Sequence, residues 1–398
     1  MSRFRVTAIV LGGLLAVVPG IGRQATAAES EEAGFVPLFD GKSFDGWKKV
    51  GGGATYRIEN GEIVGEVGPG PNTFLRTEKT YGDFILKVDA KLDVASNSGI
   101  QFRSHQKDGN GRVFGYQCEI DPSPRAWTAG IYDEGRRGWL YPLNGHPEAQ
   151  KAFRLTDWNS FVIEARGPWI RTWLNGVPCA DLIDTADLDG LIALQVHAAK
   201  EGRIRWRNVR LKDLGQSHWK PIKPDAWKSI GEDQWSIKDA NIRGTRSAKA
   251  TKPGVFVTND SFGDVALRLQ FKDQDGACAV LVRGELVGDA DVKGFQVQPS
   301  HVGGVGELHE TDGHTPVFRA KPEDITKWLK PKDWNELTVV ALGNRYVVHL
   351  NSQKITEAQL NSGQARGRIA LKLQGDHDAN VEFKNVEIQD LSDIHTNH

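Results

Sequence analysis

The sequence predicts an all-β protein made of two tandem sandwich domains, and three observations carry that expectation. Apolar and polar residues alternate over short runs, as in Phe84-Ile85-Leu86-Lys87-Val88 and over residues 100–103 and 192–197; a period of two is the signature of strands with one buried face. The runs are punctuated by Asn60-Gly61 and Asn175-Gly176, the dipeptides that tight hairpin turns require. The chain also repeats itself. Residues 190–214 align without a gap to residues 367–391, with identities at Ile192/Ile369, Asn208/Asn385 and Asp213/Asp390. Upstream, Tyr56-Arg57-Ile58 answers Trp235-Ser236-Ile237, Tyr81-Gly82-Asp83 answers Phe262-Gly263-Asp264, and Trp158-Asn159 answers Trp334-Asn335. A chain of 398 residues has room for two cores. We place the first domain at residues 35–214 and the second at 219–391, joined by the polar stretch 215–218. Many short strands in a domain of that size make a sandwich or jelly roll. Helical patterning is confined to short excursions at residues 147–153 and 321–329.

Residues 1–28 read as a secretory signal peptide: Arg3 and Arg5 open it, residues 6–18 are apolar, and Ala25-Thr26-Ala27 is a small-residue cleavage site. The apolar run is shorter than a membrane span. The expected location is therefore periplasmic or secreted. With 50 basic and 51 acidic residues and no long run of either sign, neither a nucleic acid nor a membrane surface is the expected partner. A neutral small molecule is. Nothing in the sequence reports on oligomeric state. Cys118, Cys179 and Cys278 sit among apolar strand residues and are expected as buried free thiols. No zinc spacing, phosphate loop or Gly-x-Ser-x-Gly elbow occurs. No cofactor is expected; clustered carboxylates and amide oxygens suit calcium chemically, but no spacing signals it.

Alternation also sorts the candidate site residues, because positions two apart share a face. Around Tyr116, the residues Tyr116, Cys118 and Ile120 face the core, leaving Gln117, Glu119 and Asp121 opposite. Its two carboxylates then lie ~7 Å apart along the strand. Likewise Gln101 and Arg103 lie opposite Ile100 and Phe102, and Gln195 and His197 opposite Ile192, Leu194 and Val196. If these strands are neighbours, one sheet face gathers them all into a polar constellation suited to a sugar, although a solvated antiparallel face is also polar. The repeat supplies a contrast. Gln298 falls opposite Glu119, Ser300 opposite Asp121, Leu281 opposite Gln101 and Gln374 opposite His197, so proton transfer is expected in the first copy. Tyr132 and Glu134 are expected to hold the substrate from a rim loop, with Arg136 and Arg137 engaging its polar groups. Trp127 and Trp139 are candidates for stacking on a sugar ring, whereas Trp47, Trp158, Trp173 and Trp206 are expected in the core.

A set of motifs runs in order through the first domain. They are Leu38-Phe39-Asp40-Gly41-Lys42-Ser43-Phe44-Asp45-Gly46-Trp47, Asn97-Ser98-Gly99-Ile100-Gln101-Phe102-Arg103, Gly115-Tyr116-Gln117-Cys118-Glu119-Ile120-Asp121 and Gly130-Ile131-Tyr132, then Trp158-Asn159, Trp173-Leu174-Asn175-Gly176 and residues 192–197. Together they resemble the 3-keto-disaccharide hydrolase domain family, closely in the first domain and weakly in the second. The resemblance implies tandem concanavalin A-like jelly rolls and action on 3-keto-glycosides. A ketone at C3 acidifies the proton on C2, so a base can remove it and expel the C1 substituent, with water adding back. His197 or Glu119 would be the base, Asp121 or Glu134 the acid, and Arg103 the stabiliser of the enolate-like charge. Two other readings stay open. Glu119-Ile120-Asp121 resembles the Glu-x-Asp-x-Glu strand of laminarinase-like glucanases, which act on unoxidised glycosides, but position 123 is Ser. The degenerate second copy fits a lectin-like protein without turnover.

Overall fold

Alternation is realised most fully in the longest strands: Asp83–Val94 exposes and buries successive residues almost without a break, as does Arg203–Gly215 beside it. The computed structural model describes residues 32–394, apart from 110, 240, 253, 273–276, 289–290, 300–303, 312–315, 362 and 376. Residues 1–28, expected as a signal peptide, and Ser300 lie outside the described residues. Hairpins close where expected. Asn60 and Gly61 have φ of 52° and 79°, and Asn175 and Gly176 have 52° and 81°, the left-handed pair that a two-residue turn needs to match strand twist.

Each half of the chain forms two antiparallel sheets packed face to face. In the first half, one sheet has the order 177–183, 169–174, 159–166, 83–94, 203–215, 62–66, 55–59. The other is built from β1 (Trp47–Gly51), β2 (Thr73–Thr77), β3 (Ser98–Gln106), β4 (Val113–Ile120), β5 (Ile131–Glu134), β6 (Gly138–Tyr141) and β7 (Leu191–Val196), in the order β6-β5-β4-β3-β7-β2-β1. Phe84, Leu86, Phe161 and Trp206 of the first sheet meet Ile100, Phe102, Tyr116 and Leu194 of the second in one core. The second half repeats the plan. Its corresponding sheet is β8 (Trp227–Gly231), β9 (Gly254–Thr258), β10 (Ala277–Val287), β12 (Phe295–Val297), β13 (Leu308–Glu310), β14 (Pro316–Phe318) and β15 (Arg368–Gln374), in the order β8-β9-β15-β10-β12-β13-β14, with β11 (Asp291–Lys293) paired on β10. Strand for strand the connectivity is the same. The helices α1 (Pro147–Lys151) and α2 (Pro322–Trp328) occupy equivalent places.

Details below the strand level also recur. Asn159 receives Arg154 N and donates to Arg154 O and Asp157 O, and Asn335 makes the same three bonds with Lys330 and Asp333. Pairing of β3 shifts register after Gln101, and pairing of β10 shifts after Leu281. These breaks coincide with left-handed residues, Arg103 at φ 42° and Arg283 at φ 57°. All three cysteines are buried thiols. No helix among the described residues is long and apolar enough to cross a membrane.

Candidate functional site

The face of the β1–β7 sheet turned away from the core carries Gln101, Gln117, Glu119 and Gln195, as alternation assigned them. Across β3 and β4, Gln101 pairs with Gln117 and Gly99 with Glu119; Gln195 of β7 lies beside Gly99, and Tyr132 of β5 beside Gln117. These groups form a connected chain. Ser104 Oγ donates to Gln101 Oε1 (2.8 Å), Gln101 Nε2 donates to Gln117 Oε1, Gln117 Nε2 donates to Glu119 Oε2 (2.6 Å), and Asn97 Nδ2 donates to Glu119 Oε1 (2.5 Å). Gly99 makes room for it, since a Cβ there would lie 2.3 Å from the Gln117 amide carbon. Gln195 is fully buried, and neither of its amide atoms is hydrogen-bonded to protein.

Glu119 is the electrostatic centre of this face. It is 4 % exposed, and burial pushes its pKa up to about 7, against the pull of the Asn97 and Gln117 hydrogen bonds. Loss of hydration penalises the charged form, so a carboxyl results that gains and loses a proton near neutrality. Beside it stands an aromatic group. Tyr132 and Trp139 are cross-strand partners with ring centroids 5.3 Å apart, and Trp139 meets Trp127 edge-on at 4.8 Å. The exposed Arg125 guanidinium lies 5.1 and 5.3 Å from the two indoles. Burial and the nearby Glu134 and Glu119 charges raise the Tyr132 phenol above its ordinary value.

Glu134, on the same face, receives Asn72 Nδ2 (3.3 Å) and lies 3.5 Å from Arg112. Asn72 and Arg112 line a cavity of about 360 Å³ with Gly51, Pro71 and Ala198. His197 follows the end of β7, half-exposed, with Nδ1 donating to Ala198 O at 2.9 Å; it is adjacent in sequence to the cavity wall.

Several expected site residues lie elsewhere. Arg103 is inside the sandwich, fully buried, donating to Gly82 O (2.8 Å), Gly167 O (2.6 Å) and Asp83 (2.7 Å). The register shift at its left-handed backbone turns it off the face that Gln101 occupies. Arg283 repeats the arrangement with Gly263 O, Gly343 O and Asp264, so this arginine belongs to the fold. Arg136 and Arg137 are likewise turned away from the substrate face, pairing with Asp133, Asp187 and Asp184. Asp121 lies just past β4. Burial works to raise its pKa, but hydrogen bonds from Ser123 and the Arg125 ion pair outweigh that and hold it below the usual carboxylate range; it stays ionised and is no acid near neutrality. Trp47 and Trp206 are core residues, whereas Trp158 and Trp173 are half-buried beneath Arg207 and Arg171. Sequence reasoning passed over Asn97, Asn72, Arg112 and Arg125. Only Asn97 carried a signal, lying within a family motif.

Among the described residues, the corresponding face of the second copy is composed differently: Gln298 donates to Gln374 (3.4 Å) and Gln374 to Gln296 (3.1 Å), and His309 lies beside Gln296 and 3.1 Å from Glu307. Pairing places Leu281 and Gln296 where the first has Gln101 and Gln117, and Val255, Val257, Ala279, Leu281, Val292 and Ala370 form an apolar cluster over it. Val292 comes from β11, which folds back along β10, and Lys372 is tied to Asp291 of the same strand at 2.7 Å.

The sequence profile of the 3-keto-alpha-glucoside-1,2-lyase-like domain matches residues 34–212 and again residues 217–389. The chain belongs to this family. It carries two tandem copies of the domain, and the fold is that of a carbohydrate-active group. No curated protein matches the sequence. Among solved structures, a candidate glycosyl hydrolase from Parabacteroides distasonis is 23% identical over 48% of this chain and 99% of its own, with a TM-score of 0.37. A carbohydrate-binding module from Bacillus subtilis is 17% identical over 42% and 96%, TM-score 0.32. A β-1,3-1,4-glucanase from a mouse hindgut metagenome is 11% identical over 44% and 98%, TM-score 0.32. Each of these aligns with a length of chain close to that of one family domain.

Proposed function

We propose that the first domain cleaves 3-keto-α-glucosides by elimination across C1 and C2, with Glu119 as the base. The observation that carries this reading is the buried carboxyl held by Asn97 and Gln117 with a pKa raised to about 7. A base works best when its pKa lies near the working pH, and the C2 proton of a 3-keto sugar is acidic enough for a carboxylate to remove. In the step proposed, the C2 proton passes to Glu119 and the C2–H pair forms the C1=C2 bond. The C1–O bond breaks with its electrons on the departing oxygen, which takes a proton from the Tyr132 hydroxyl. Water then adds across C1=C2, its hydroxyl to C1 and a proton to C2, and proton exchange with solvent returns Glu119 and Tyr132 to their starting forms, giving net hydrolysis. Trp127 and Trp139 offer apolar faces for the sugar, and Glu134, Arg112 and Asn72 offer polar groups at the cavity.

Asp121 is reserved for holding Arg125, and His197 for the rim. The ligand is a neutral sugar, met after export to the periplasm or beyond. The aromatic group would serve a non-catalytic sugar binder equally well, and one assay separates the two. Incubated with 3-keto-trehalose and, separately, trehalose, the protein should release ketosugar, read by mass, from the oxidised substrate alone. Glu119→Gln should lower that turnover by about 10²- to 10⁴-fold. Binding of the ketosugar without release would establish the lectin reading instead.

A further inference from the structure

The second copy keeps the sandwich, but on its corresponding face an apolar cluster with Leu281 and Val292 stands where the first copy carries Gln101. Where the two copies meet, Arg137 of the first reaches the second: its Nη1 donates to Ser352 O at 2.8 Å. The same nearly buried guanidinium pairs with Asp133 through Nε and with both Asp184 oxygens, at 2.9 and 3.1 Å. Asp133 lies between Tyr132 and Glu134 on β5 and points to the opposite side of the sheet. Its cross-strand partner is Tyr116 of β4, whose hydroxyl donates to Asp184. The reverse of β4 and β5 is thus pinned by one network whose outer end is a backbone carbonyl of the second copy. His349 of that copy closes on Asp184 at 3.8 Å.

The contact point has a local peculiarity. Asn351 and Ser352 form a hairpin turn with φ of 49° and 64°, whereas the first copy places Asn175 and Gly176 there. A serine in the left-handed region costs more than a glycine, and such strain is found where a backbone group has a task. We propose that the second copy is a positioning partner for the first: the tip at Asn351 and Ser352, acting through Arg137, fixes β5 and with it Tyr132 and Glu134. The catalytic half of this inference rests on the reading of the site given above.

Inserting two glycines after Ser352 displaces the carbonyl without deleting a side chain. Amide exchange over residues 131–141 should then quicken about tenfold or more, and kcat on 3-keto-trehalose should fall about 10- to 100-fold with KM changed less. Arg137→Lys, which keeps the charge but loses the fork, should shift both readouts the same way. Arg345→Met is the control, because it removes a separate polar contact between the copies, from Arg345 to the Asp181 carboxylate (2.6 Å) and carbonyl (3.0 Å), while the apolar seam of Ile183 with Val340 and Val347 stays in place, and should leave both readouts unchanged. Exchange over 131–141 unmoved by the insertion and by Arg137→Lys, or moved as much by Arg345→Met, overturns the inference. If the parent protein turns over no ketosugar, the reading of the site fails while exchange still decides the positioning role.

Discussion

Glu119 sits where stability and proton transfer pull in opposite directions. Burial raises its pKa from 4.5 to about 7, so between those values the folded protein binds a proton that the unfolded chain has released. Stability from this group is therefore full below about pH 4.5 and declines as pH rises through 7, by an amount on the order of 3 kcal/mol at most. Glu119→Gln removes the titration. The variant should melt higher than the parent at pH 8 and close to it at pH 5, by calorimetry at the two pH values; equal melting differences at both would show that the carboxyl titrates normally. The second copy already carries Gln298 at the matching place, where it donates to Gln374 at 3.4 Å.

At the scale of the strand, the two bulges that turn Arg103 and Arg283 inward decide which arginines are available for chemistry. Each guanidinium is buried against an aspartate and two or more backbone carbonyls, and breaking a buried pair from one side costs about 3–5 kcal/mol. Arg103→Leu and Arg283→Leu should each lose stability of that order in urea melts; a full loss of turnover by Arg103→Leu with unchanged stability would return that residue to the active site. Strict alternation made Gln101, Gln117, Glu119 and Gln195 legible from sequence, because their strands run regularly through those positions. Arg103 was misassigned for the converse reason: one left-handed residue inverts every assignment beyond it, and an arginine announces no such backbone state. Arg136 and Arg137 were misjudged because their partners Asp184, Asp187 and Ser352 are distant in sequence. Asn72 and Arg112 reach Glu134 only through the folding of separate segments over the sheet, which no local pattern records.

At the scale of the whole molecule, the proposed ketosugar site belongs to the first of two copies. The repeat, both pairs of sheets and the short helices were readable from sequence spacing alone. The apolar cluster that Val292 of β11 joins on the second face was visible only as the loss of Gln101 and Glu119 equivalents. Calorimetric titration of the Glu119→Gln protein with 3-keto-trehalose should give one binding event per chain, abolished by Trp139→Ala together with Gln117→Ala. Two equivalent events would mean that the apolar cluster around Leu281 and Val292 opens to admit a ligand.

The most direct test of proton removal by Glu119 is the rate of cleavage of 3-keto-trehalose deuterated at C2. Elimination predicts a primary isotope effect on kcat/KM, with kcat/KM itself rising as pH rises through 7, together with loss of the C2 deuterium to solvent. Cleavage at an unchanged rate with the deuterium retained in the released sugar would contradict the account and assign the protein to direct displacement at C1.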